Sequence, residues 1–387
     1  MVKAIKVMLI PNNVQETKMF EYAGASRFAY NWALAREKEN YEKGGRFISD
    51  SELRKEFTKL RHSDEYAWLL NISNNVTKQA IKDACNAYKN FFKGLKKIPR
   101  FKSRKRSMPK FYQDNVKIQF SNTHVKLEGF SSSRKANKQK LNWVRLAEHG
   151  RISTDAKYMN PRISFDGLNW WISVCVEFPD CKEILNDDGV GIDLGIKDLA
   201  VCSDAVKYKN INKSQKVKKL EKQKRRLQRS ISRSYEKNKK GESYCKTNNV
   251  IKKEKLLLKL NHRLTNIRKN YLNQTISEIV NRKPRFICIE DLNVSGMMKN
   301  RHLSKVVQEQ GFFLFRKQLE YKCSDKGIQL IVADRFYPSS KLCSCCGKIK
   351  EDLKLSDRIY RCECGNMIDR DFQASINLKA YGERFAS

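Results

Sequence analysis

The segment GVGIDLGIKDLAV, residues 189–201, places a single aspartate, Asp193, inside an apolar run. Gly191 and Gly195 flank it, and glycine in a strand allows another backbone or a phosphate to approach closely. A carboxylate inside an apolar strand is costly unless a metal, a cation or a hydrogen-bond network compensates its charge. The segment therefore predicts a buried strand that carries a functional acid; a strand-end turn residue is the alternative.

Two further acids lie in comparable settings. Glu290 ends the apolar segment FICIE, and Asp371 precedes the helical pattern FQASINLKAYG. Sites in open α/β sheets collect at strand ends, so we expect Asp193, Glu290 and Asp371 to form one site. Three carboxylates meet the requirement for two magnesium ions, roughly 3.5 to 4 Å apart, in the in-line hydrolysis of a phosphodiester. Hard oxygen ligands select magnesium or manganese over zinc.

Two other kinds of catalysis find no support in the sequence. The chain has five histidines, and none of them lies in the acidic segments, so an imidazole-based mechanism is not indicated. The motif G-x-x-x-x-G-K-[ST] is missing as well, and with it the phosphate-binding loop typical of nucleotide hydrolysis. Metal-dependent hydrolysis of a phosphodiester is the reaction class that the acids favour.

Five cysteines cluster ahead of the third acid. Cys343 and Cys346 form C-x-x-C followed by glycine, and Cys362 and Cys364 form C-x-C followed by glycine, with 15 residues between the pairs. Two such knuckles predict a zinc ribbon, whereas buried structural cysteines are the alternative. A site with four thiolates is closed and hence structural, because catalytic zinc keeps an open position. Cys345 is a spare thiol that could substitute as a ligand.

The order of the predicted elements divides the chain into two halves. The segment 4–12 predicts a strand, and apolar residues then recur at helical spacing over 14–35 and 51–92. After a basic linker, the period changes to two from 116 to 178, which predicts strands. A strand, a helical insertion and further strands indicate a β-barrel-like unit interrupted by helices. From 187 onwards strands alternate with helices, which predicts an α/β sheet.

The chain is strongly basic, with 79 Lys and Arg against 42 Asp and Glu and a formal net charge of +37. Nucleic acid is the expected partner, because an anion must offset this self-repulsion and the basic residues are not confined to one tail. Between 207 and 269, 23 Lys and Arg accompany 4 Asp and Glu on a helical pattern. We interpret this region as a surface that binds phosphates; a solvated helical hairpin is the alternative.

The remaining cysteines and the N-terminus bear on the cellular compartment. Seven of the twelve cysteines are scattered singly, which is typical of small core residues in a reducing compartment. The N-terminal apolar run is too short for a signal peptide, and no window approaches the roughly 18 apolar residues of a membrane span. These features predict a soluble cytoplasmic protein without a membrane partner.

Several motifs together resemble a known family. In chain order, GIDLGIKDLAV, FICIEDLNVSGM, DRFYPSSKLCSCCG and YRCECGNMIDRDFQASINL are similar to the split RuvC-type nuclease domain of TnpB proteins. These are transposon-encoded RNA-guided DNA endonucleases related to miniature type V CRISPR effectors. RFAYNWAL and PRFKSRKRSMPKF resemble the N-terminal half of the family more loosely. The resemblance spans nearly the whole chain.

The resemblance implies an α+β multidomain fold. An N-terminal β-barrel-like wedge domain would comprise 1–13 and 113–186, with a helical recognition insertion at 14–112. A split RuvC/RNase H-like α/β nuclease domain would comprise 187–342 and 366–387. The zinc ribbon at 343–365 would be an insertion into that nuclease domain.

The resemblance also implies the site residues. Asp193, Glu290 and Asp371 would form one metal site, with Asp371 favoured over Asp369 in the D-R-D segment. The family usually has asparagine two residues after that aspartate, whereas this chain has Gln373. A side chain longer by one methylene could alter a hydrogen bond next to the site. In the family the zinc insert helps to load target nucleic acid, a role that its basic residues fit: Lys341, Lys348, Lys350 and Arg358.

The function implied is that of an RNA-guided, magnesium-dependent endonuclease that cleaves double-stranded DNA next to a short flanking motif. Its partners would be a guide RNA from the transposon end and the target DNA, and its cofactors two magnesium ions, with manganese possible, and structural zinc. A monomer is favoured. The alternatives are a miniature type V CRISPR effector, a catalytically dead guided DNA-binding repressor and a DNA-strand-joining transposase. Loss of one acid would mark the repressor, and here all three are present.

Overall fold

The computed structural model describes residues 2–130, 141–179, 183–354 and 356–386. Backbone contacts divide the chain into two compact units, Met1–Pro179 and Asp180–Ser387. The division falls a few residues before the predicted boundary at 186. Among the described residues, no helix combines the length and the apolar composition that crossing a membrane requires.

A seven-stranded antiparallel sheet forms the framework of the N-terminal unit. Its strands are β1 (Val2–Ile10), β2 (Lys110–Tyr112), β3 (Gln119–Phe120), β4 (His124–Lys126), β5 (Trp143–Leu146), β6 (Tyr158–Phe165) and β7 (Trp170–Glu177). Their order in the sheet is β2-β6-β7-β1-β5-β4-β3. In the central pair, Val2 lies opposite Glu177 and Leu9 opposite Trp170. Alternate residues of β7 are buried, which confirms the predicted period of two.

Four helical segments occupy the interval between β1 and β2. They are α1 (Asn13–Glu42), α2 (Asp50–Arg61), a 3-10 helix (Asp64–Asn71) and α3 (Asn74–Phe92). The helical patterns are therefore confirmed, although the second one is divided into three segments. Ser73 separates the 3-10 helix from α3, because its hydroxyl accepts a hydrogen bond from the amide of Asn75 at 3.3 Å and caps the new helix.

The predicted barrel-like closure is absent from the strand pairing of the described residues. The sheet ends at β2 and β3, which do not pair with each other, whereas closure of a barrel requires the two edge strands to meet. In addition, β2 lies inside the interval that the sequence assigned to the helical insertion, since Lys110 pairs with Ser164 and Tyr112 with Arg162. The sheet therefore resumes before position 113.

The C-terminal unit is an α/β structure, as predicted. Its elements are β8 (Val190–Leu194), β9 (Asp198–Cys202), β10 (Lys207–Lys209), α4 (Gln215–Lys237), β11 (Lys239–Lys240), β12 (Ser243–Tyr244), α5 (Asn248–Asn281), β13 (Phe286–Glu290), α6 (Val294–Lys299), α7 (Ser304–Gln310), α8 (Phe312–Lys326), β14 (Gln329–Ala333), β15 (Ile359–Arg361), β16 (Met367–Asp369) and α9 (Arg370–Phe385). The main sheet has the order β10-β9-β8-β13-β14. β8, β9 and β10 are antiparallel, whereas β13 runs parallel to β8 and β14.

Helices cover both faces of this sheet. On one face, Ile287 and Ile289 of β13 share a core with apolar residues of α5 and α8. On the other face, Phe286 and Cys288 pack with Leu378 of α9. Because side chains alternate between the faces of a strand, the two cores are separate. The carboxyl ends of β8 and β13 lie at one edge of the sheet, where two of the predicted acids stand.

Candidate active site and metal centres

Parallel pairing of β8 and β13 places two of the predicted acids side by side. Ile192 lies opposite Ile289, and Asp193 and Glu290 each follow one member of this pair. The two isoleucines belong to the core under α5 and α8. The acids, one residue further along, therefore face the opposite side of the sheet, which α9 covers.

Helix α9 carries the third acid to the same place. Asp371 lies in its first turn, and the backbone of the helix rests on β8 at Gly191. A Cβ atom on Gly191 would lie 2.0 Å from the carbonyl oxygen of Ser375 and 2.4 Å from the amide nitrogen of Lys379, so only glycine permits this approach. The expectation that Gly191 lets another backbone come close is confirmed.

The three carboxylates line one cavity of about 390 Å³. Asp193 and Glu290 are partly accessible to solvent, and the side chain of Asp371 is 18% exposed. Cationic side chains line the same cavity: Lys197, Lys341, Lys354, Arg358 and Arg370. The cavity thus combines a cluster of acids with cations suited to hold the phosphates of a nucleic acid.

Burial and mutual repulsion shape the charges of these acids. Burial raises the pKa of Asp193 well above its ordinary value, and the negative charges of Glu290 and Asp371 raise it further, against the opposing charge of Arg370. Burial also raises the pKa of Glu290. A divalent cation would relieve this repulsion, and oxygen ligands are those that magnesium and manganese prefer. The donor set therefore fits the predicted magnesium site.

The two aspartates of the D-R-D segment have different roles. Asp369 caps α9, since one of its carboxylate oxygens accepts hydrogen bonds from the amides of Asp371 and Phe372, both at 3.1 Å. Its other oxygen lies 3.2 Å from Nζ of Lys207. Burial by itself would raise the pKa of Asp369. The hydrogen bond from the Phe372 amide and the hydrogen bond and charge of Lys207 outweigh this effect, so the pKa is lowered. Asp371, by contrast, lines the cavity, with Arg370 at 3.2 Å. This geometry favours Asp371 as the metal ligand, as the sequence did.

One contact of the site escaped the sequence analysis. Ser339, which is 4% exposed, donates its hydroxyl hydrogen bond to the carboxylate of Glu290. This bond opposes the effect of burial on the pKa of Glu290. Ser339 lies within the quoted segment DRFYPSSKLCSCCG, but nothing in its local pattern distinguishes it from Ser340.

Four of the five clustered cysteines form a compact group. The sulfurs of Cys343, Cys346, Cys362 and Cys364 all lie within 4.8 Å of one another. Cys345 is exposed and stands outside the group, so it does not replace a predicted ligand. Burial opposes ionisation of Cys343, but hydrogen bonds from the Cys346 backbone and the Asn366 side chain lower its pKa to about 6. Four thiols at this spacing fit a closed, structural zinc site.

Two tight turns and one hairpin hold the cysteines in place. Gly347 and Gly365 follow the two knuckles with φ of 72° and 87°, a region that favours glycine, and their amides bond the carbonyls of Cys343 and Cys362. β15 pairs with β16, which lies beyond the predicted limit of the ribbon at 365. Of the basic residues assigned to nucleic-acid loading, Lys341 and Arg358 line the acidic cavity. Lys348 pairs with Glu363, and Lys350 donates to the carbonyl of Arg361.

The basic helical region forms a hairpin of α4 and α5, packed through Val217, Leu220 and Leu264. One face of α4 lines a cavity of about 570 Å³ with five cations: Lys218, Lys222, Arg225, Arg226 and Arg229. Within the described part of the chain, none of the five forms an ion pair. Arg268, on the wall of this cavity, pairs instead with Glu221 at 3.1 Å and Glu309 at 3.3 Å. The α4 face, as we call these five cations, therefore carries uncompensated charge.

Three family profiles match the chain. One described as "Cas12f1-like, TNB domain" matches residues 312–378, and one described as "Probable transposase" matches 173–301. A third, described as "Helix-turn-helix domain", matches 1–46. In the structure this last segment is strand β1 followed by the single long helix α1.

Relatives match the chain over nearly its whole length. The protein named "Putative RNA-guided DNA endonuclease InsQ" of Escherichia coli (strain K12) is 29% identical, covering 98% of this chain and 92% of its own. A "Putative RNA-guided DNA endonuclease" of Streptomyces pristinaespiralis is 28% identical, covering 98% of this chain and 89% of its own.

A solved structure has the same fold. The cryo-EM structure of the Cas12f1-sgRNA-target DNA complex matches with a TM-score of 0.61 and 12% identity, covering 98% of both chains. At this identity the match establishes the fold, and the profiles and relatives establish the family. The chain belongs to the TnpB family of endonucleases.

Proposed function

We propose that the chain is an RNA-guided, magnesium-dependent endonuclease that cleaves double-stranded DNA next to a short flanking motif. The observation that carries the proposal is one cavity lined by three acids from distant segments, Asp193, Glu290 and Asp371. A set of cations lines the same cavity. The names of the two full-length relatives support RNA guidance and DNA as the substrate. The order of the five strands supports a RuvC-like assignment for 187–342 and 366–387.

The residues of the cavity have distinct roles in this proposal. Asp193, Glu290 and Asp371 would hold magnesium, which supplies a nucleophilic water and stabilises the charge that develops on the phosphate. β8 and β13 fix the first two carboxylates, and Ser339 orients Glu290 through its hydroxyl. The cations of the cavity would hold the phosphodiester in place.

The cysteine cluster has a structural role in this proposal. Cys343, Cys346, Cys362 and Cys364 would bind one zinc ion and complete a ribbon at 343–365. Apart from Cys343, Tyr360 is the buried side chain among the described residues of this segment. Such a small module gains its folding free energy from the metal. Its position in the sequence, between β14 and α9, supports a role in loading nucleic acid into the cavity.

The rest of the chain would bind the guide RNA and the target. Because β2 at 110–112 belongs to the sheet, we assign 1–13 and 110–186 to a wedge domain and 14–109 to a recognition insertion. Together they would hold the guide–target duplex by backbone contacts. The guide would derive from the end of an insertion-sequence transposon, and the protein would act as a monomer. The Cas12f1 structure is a complex with sgRNA and target DNA, and the shared fold supports this choice of partners.

The test begins with the RNA that co-purifies when the protein is expressed together with its native flanking DNA. We expect a discrete RNA that covers the transposon end and adjacent sequence. That RNA then guides cleavage of a plasmid library in which a matched target is followed by random sequence, and the cut plasmids reveal the flanking motif. A CRISPR repeat in the RNA would assign the chain to the effector branch instead. If no specific RNA co-purifies, guidance is wrong.

The "Probable transposase" description of one profile favours one alternative, DNA-strand joining. The same acids could serve it, so the products decide. We expect cut ends and no joined strands when the protein meets a target plasmid and a labelled transposon-end duplex. Labelled DNA transferred into the plasmid would establish the transposase instead.

The α4 face supports a further part of the proposal, the binding of nucleic-acid phosphates. Replacing Arg225 and Arg229 with glutamine should weaken binding to duplex DNA and reduce the slope of log K against log salt by about 1 to 2. The matched control replaces Arg282 and Arg316, which already pair with Asp204 and Asp291. It removes the same net charge but should change the slope little, because those guanidinium groups are compensated. Equal slopes for both pairs would exclude the α4 face as a binding surface.

A further inference from the structure

Gln373 is completely buried on α9. Its amide nitrogen donates a hydrogen bond to the carbonyl oxygen of Leu342 at 2.6 Å. Its amide oxygen accepts hydrogen bonds from the hydroxyl of Ser344 at 2.8 Å and from the side-chain amide of Asn366 at 3.4 Å. The side chain of Gln373 therefore forms hydrogen bonds with the residues on both sides of Cys343, Leu342 and Ser344.

The same network reaches the sulfur atoms. The amide of Asn366 that donates to Gln373 also donates to Sγ of Cys343 at 3.4 Å. Asn366 follows Cys364 by two residues, so both cysteine knuckles touch this network. The helix that carries Asp371 is thus bonded to both halves of the candidate zinc site.

A second amide extends the network to the acids. Asn377, one turn along α9 and 3% exposed, donates to the carbonyls of Leu342 and Ser339, both at 2.7 Å. The hydroxyl of Ser339 donates in turn to the carboxylate of Glu290. A chain of mostly part-buried hydrogen bonds, which passes through the residue Ser339, therefore joins the sulfur of Cys343 to a carboxylate of the cavity.

We propose that Gln373 is a positioning residue that couples the four-cysteine cluster to the carboxylates of the cavity. If zinc holds the knuckles, Gln373 transmits their position to α9, and hence to Asp371 two residues before it. Mutation of a residue that hydrogen-bonds a metal ligand typically lowers metal affinity by about 10 to 100-fold. An asparagine here would withdraw the amide by about 1.5 Å, one carbon–carbon bond, which explains why the longer side chain suits these three contacts. The inference rests on the proposed zinc and magnesium sites.

The test compares Gln373→Met, which keeps the length but removes the hydrogen bonds, with Gln15→Met in the N-terminal unit. Gln15 is 5% exposed, and its amide also bridges two backbone carbonyls, those of Leu141 at 3.0 Å and Trp143 at 2.9 Å. Both variants lose a buried bridging amide and should be destabilised to a similar degree. The control therefore separates a coupling role from a loss of stability.

Two measurements follow for each purified variant. The first is the rate at which zinc passes to a chromogenic chelator without nucleic acid; the second is the magnesium concentration that gives half-maximal cleavage. Gln373→Met should release zinc about tenfold faster or more and require several-fold more magnesium. Gln15→Met should unfold at a lower temperature but match the parent protein in both measurements.

The outcomes are distinguishable. If Gln373→Met matches Gln15→Met in zinc release and magnesium requirement, the coupling role is wrong. A parent protein that holds no zinc would instead refute the zinc site itself, and with it the coupling. Should Gln373→Met fail to fold, Ser344→Ala removes a single bond to Gln373 and should still accelerate zinc release. Release at the parent rate from that variant would overturn the inference.

Discussion

The two candidate metal centres of the C-terminal unit are built in opposite ways. Asp193 and Glu290 follow Ile192 and Ile289, both fully buried in a sheet that has its own apolar core. The cysteines stand on two turns of a segment in which Tyr360 is the main buried side chain among the described residues. The acids are therefore positioned by the fold, whereas in our proposal the fold of the cysteine segment would depend on bound zinc.

This difference predicts what the removal of each metal would change. Removing magnesium should stop the reaction and leave the sheet intact, because the apolar core holds the strand ends in place. Removing zinc should unfold the ribbon, because little apolar surface remains to stabilise it. Each prediction below alters one centre and examines whether the other responds.

The largest effect should come from Asp193→Ala. Loss of a carboxylate of the cavity should reduce cleavage by about a thousandfold or more, since the metal supplies several kcal/mol of transition-state stabilisation. Guided DNA binding should remain, and the unfolding temperature should not fall, because the repulsion that raises the pKa of Asp193 disappears. The control is Asp198→Asn, an aspartate at the start of β9 that does not line the cavity. Cleavage near the parent rate by Asp193→Ala would refute the assigned site.

The next largest effect should come from a substitution in the four-cysteine cluster. Cys346→Ser should release zinc and increase amide hydrogen exchange over 341–369, while the strands β8 and β13 keep their protection. Cys345→Ser is the matched control, because its thiol lies outside the group of four and should change neither quantity. Zinc loss in both variants, or in neither, would show that the four thiols do not form the site. Exchange that spreads through β8 and β13 would contradict the separation of the two centres.

A moderate effect should come from Gly191→Ala. The added Cβ would collide with the backbone of α9 at Ser375, so the helix must shift, which should cost about 1 to 3 kcal/mol of unfolding free energy and lower cleavage. Gly24→Ala on α1 meets no atom within 4 Å and should be neutral or slightly stabilising. Denaturant unfolding with a cleavage assay tests both. Equal stability of the two variants would mean that α9 does not rest on Gly191.

The smallest effect should come from Ser339→Ala. Its hydroxyl opposes the rise that burial causes in the pKa of Glu290, so its removal should raise that pKa further. Less of the carboxylate is then ionised at a given pH, and the acidic limb of the pH–rate profile moves to higher pH. Loss of one hydrogen bond to a charged group should lower cleavage about tenfold at acidic pH, and less at alkaline pH. A loss that is equal at all pH values would exclude this role.

Much of the candidate site could be predicted from local patterns. Asp193 stands out because it interrupts an apolar strand, Glu290 because it ends one, and the cysteines because of their spacing and the glycines after them. The role of Ser339 could not be predicted, because it depends on a hydrogen bond to Glu290, which is 49 residues away in the sequence. Among the described residues, the strands do not close into the predicted barrel-like unit, for a related reason: local periodicity indicates strands, but the way distant strands meet decides whether a sheet closes.

The kinds of element and the chemistry of their groups follow from the sequence alone: two strands that carry acids, the thiol knuckles, the basic helices and the expected polyanionic partner. These properties follow from residue type and near-neighbour spacing. It is in the folded molecule that Ile192 pairs with Ile289, that Asp369 caps a helix while Asp371 lines the cavity, and that Gln373 bonds the cysteine knuckles to α9. Packing between distant segments sets these relations, because the orientation of a side chain depends on which strand or helix comes to lie against it.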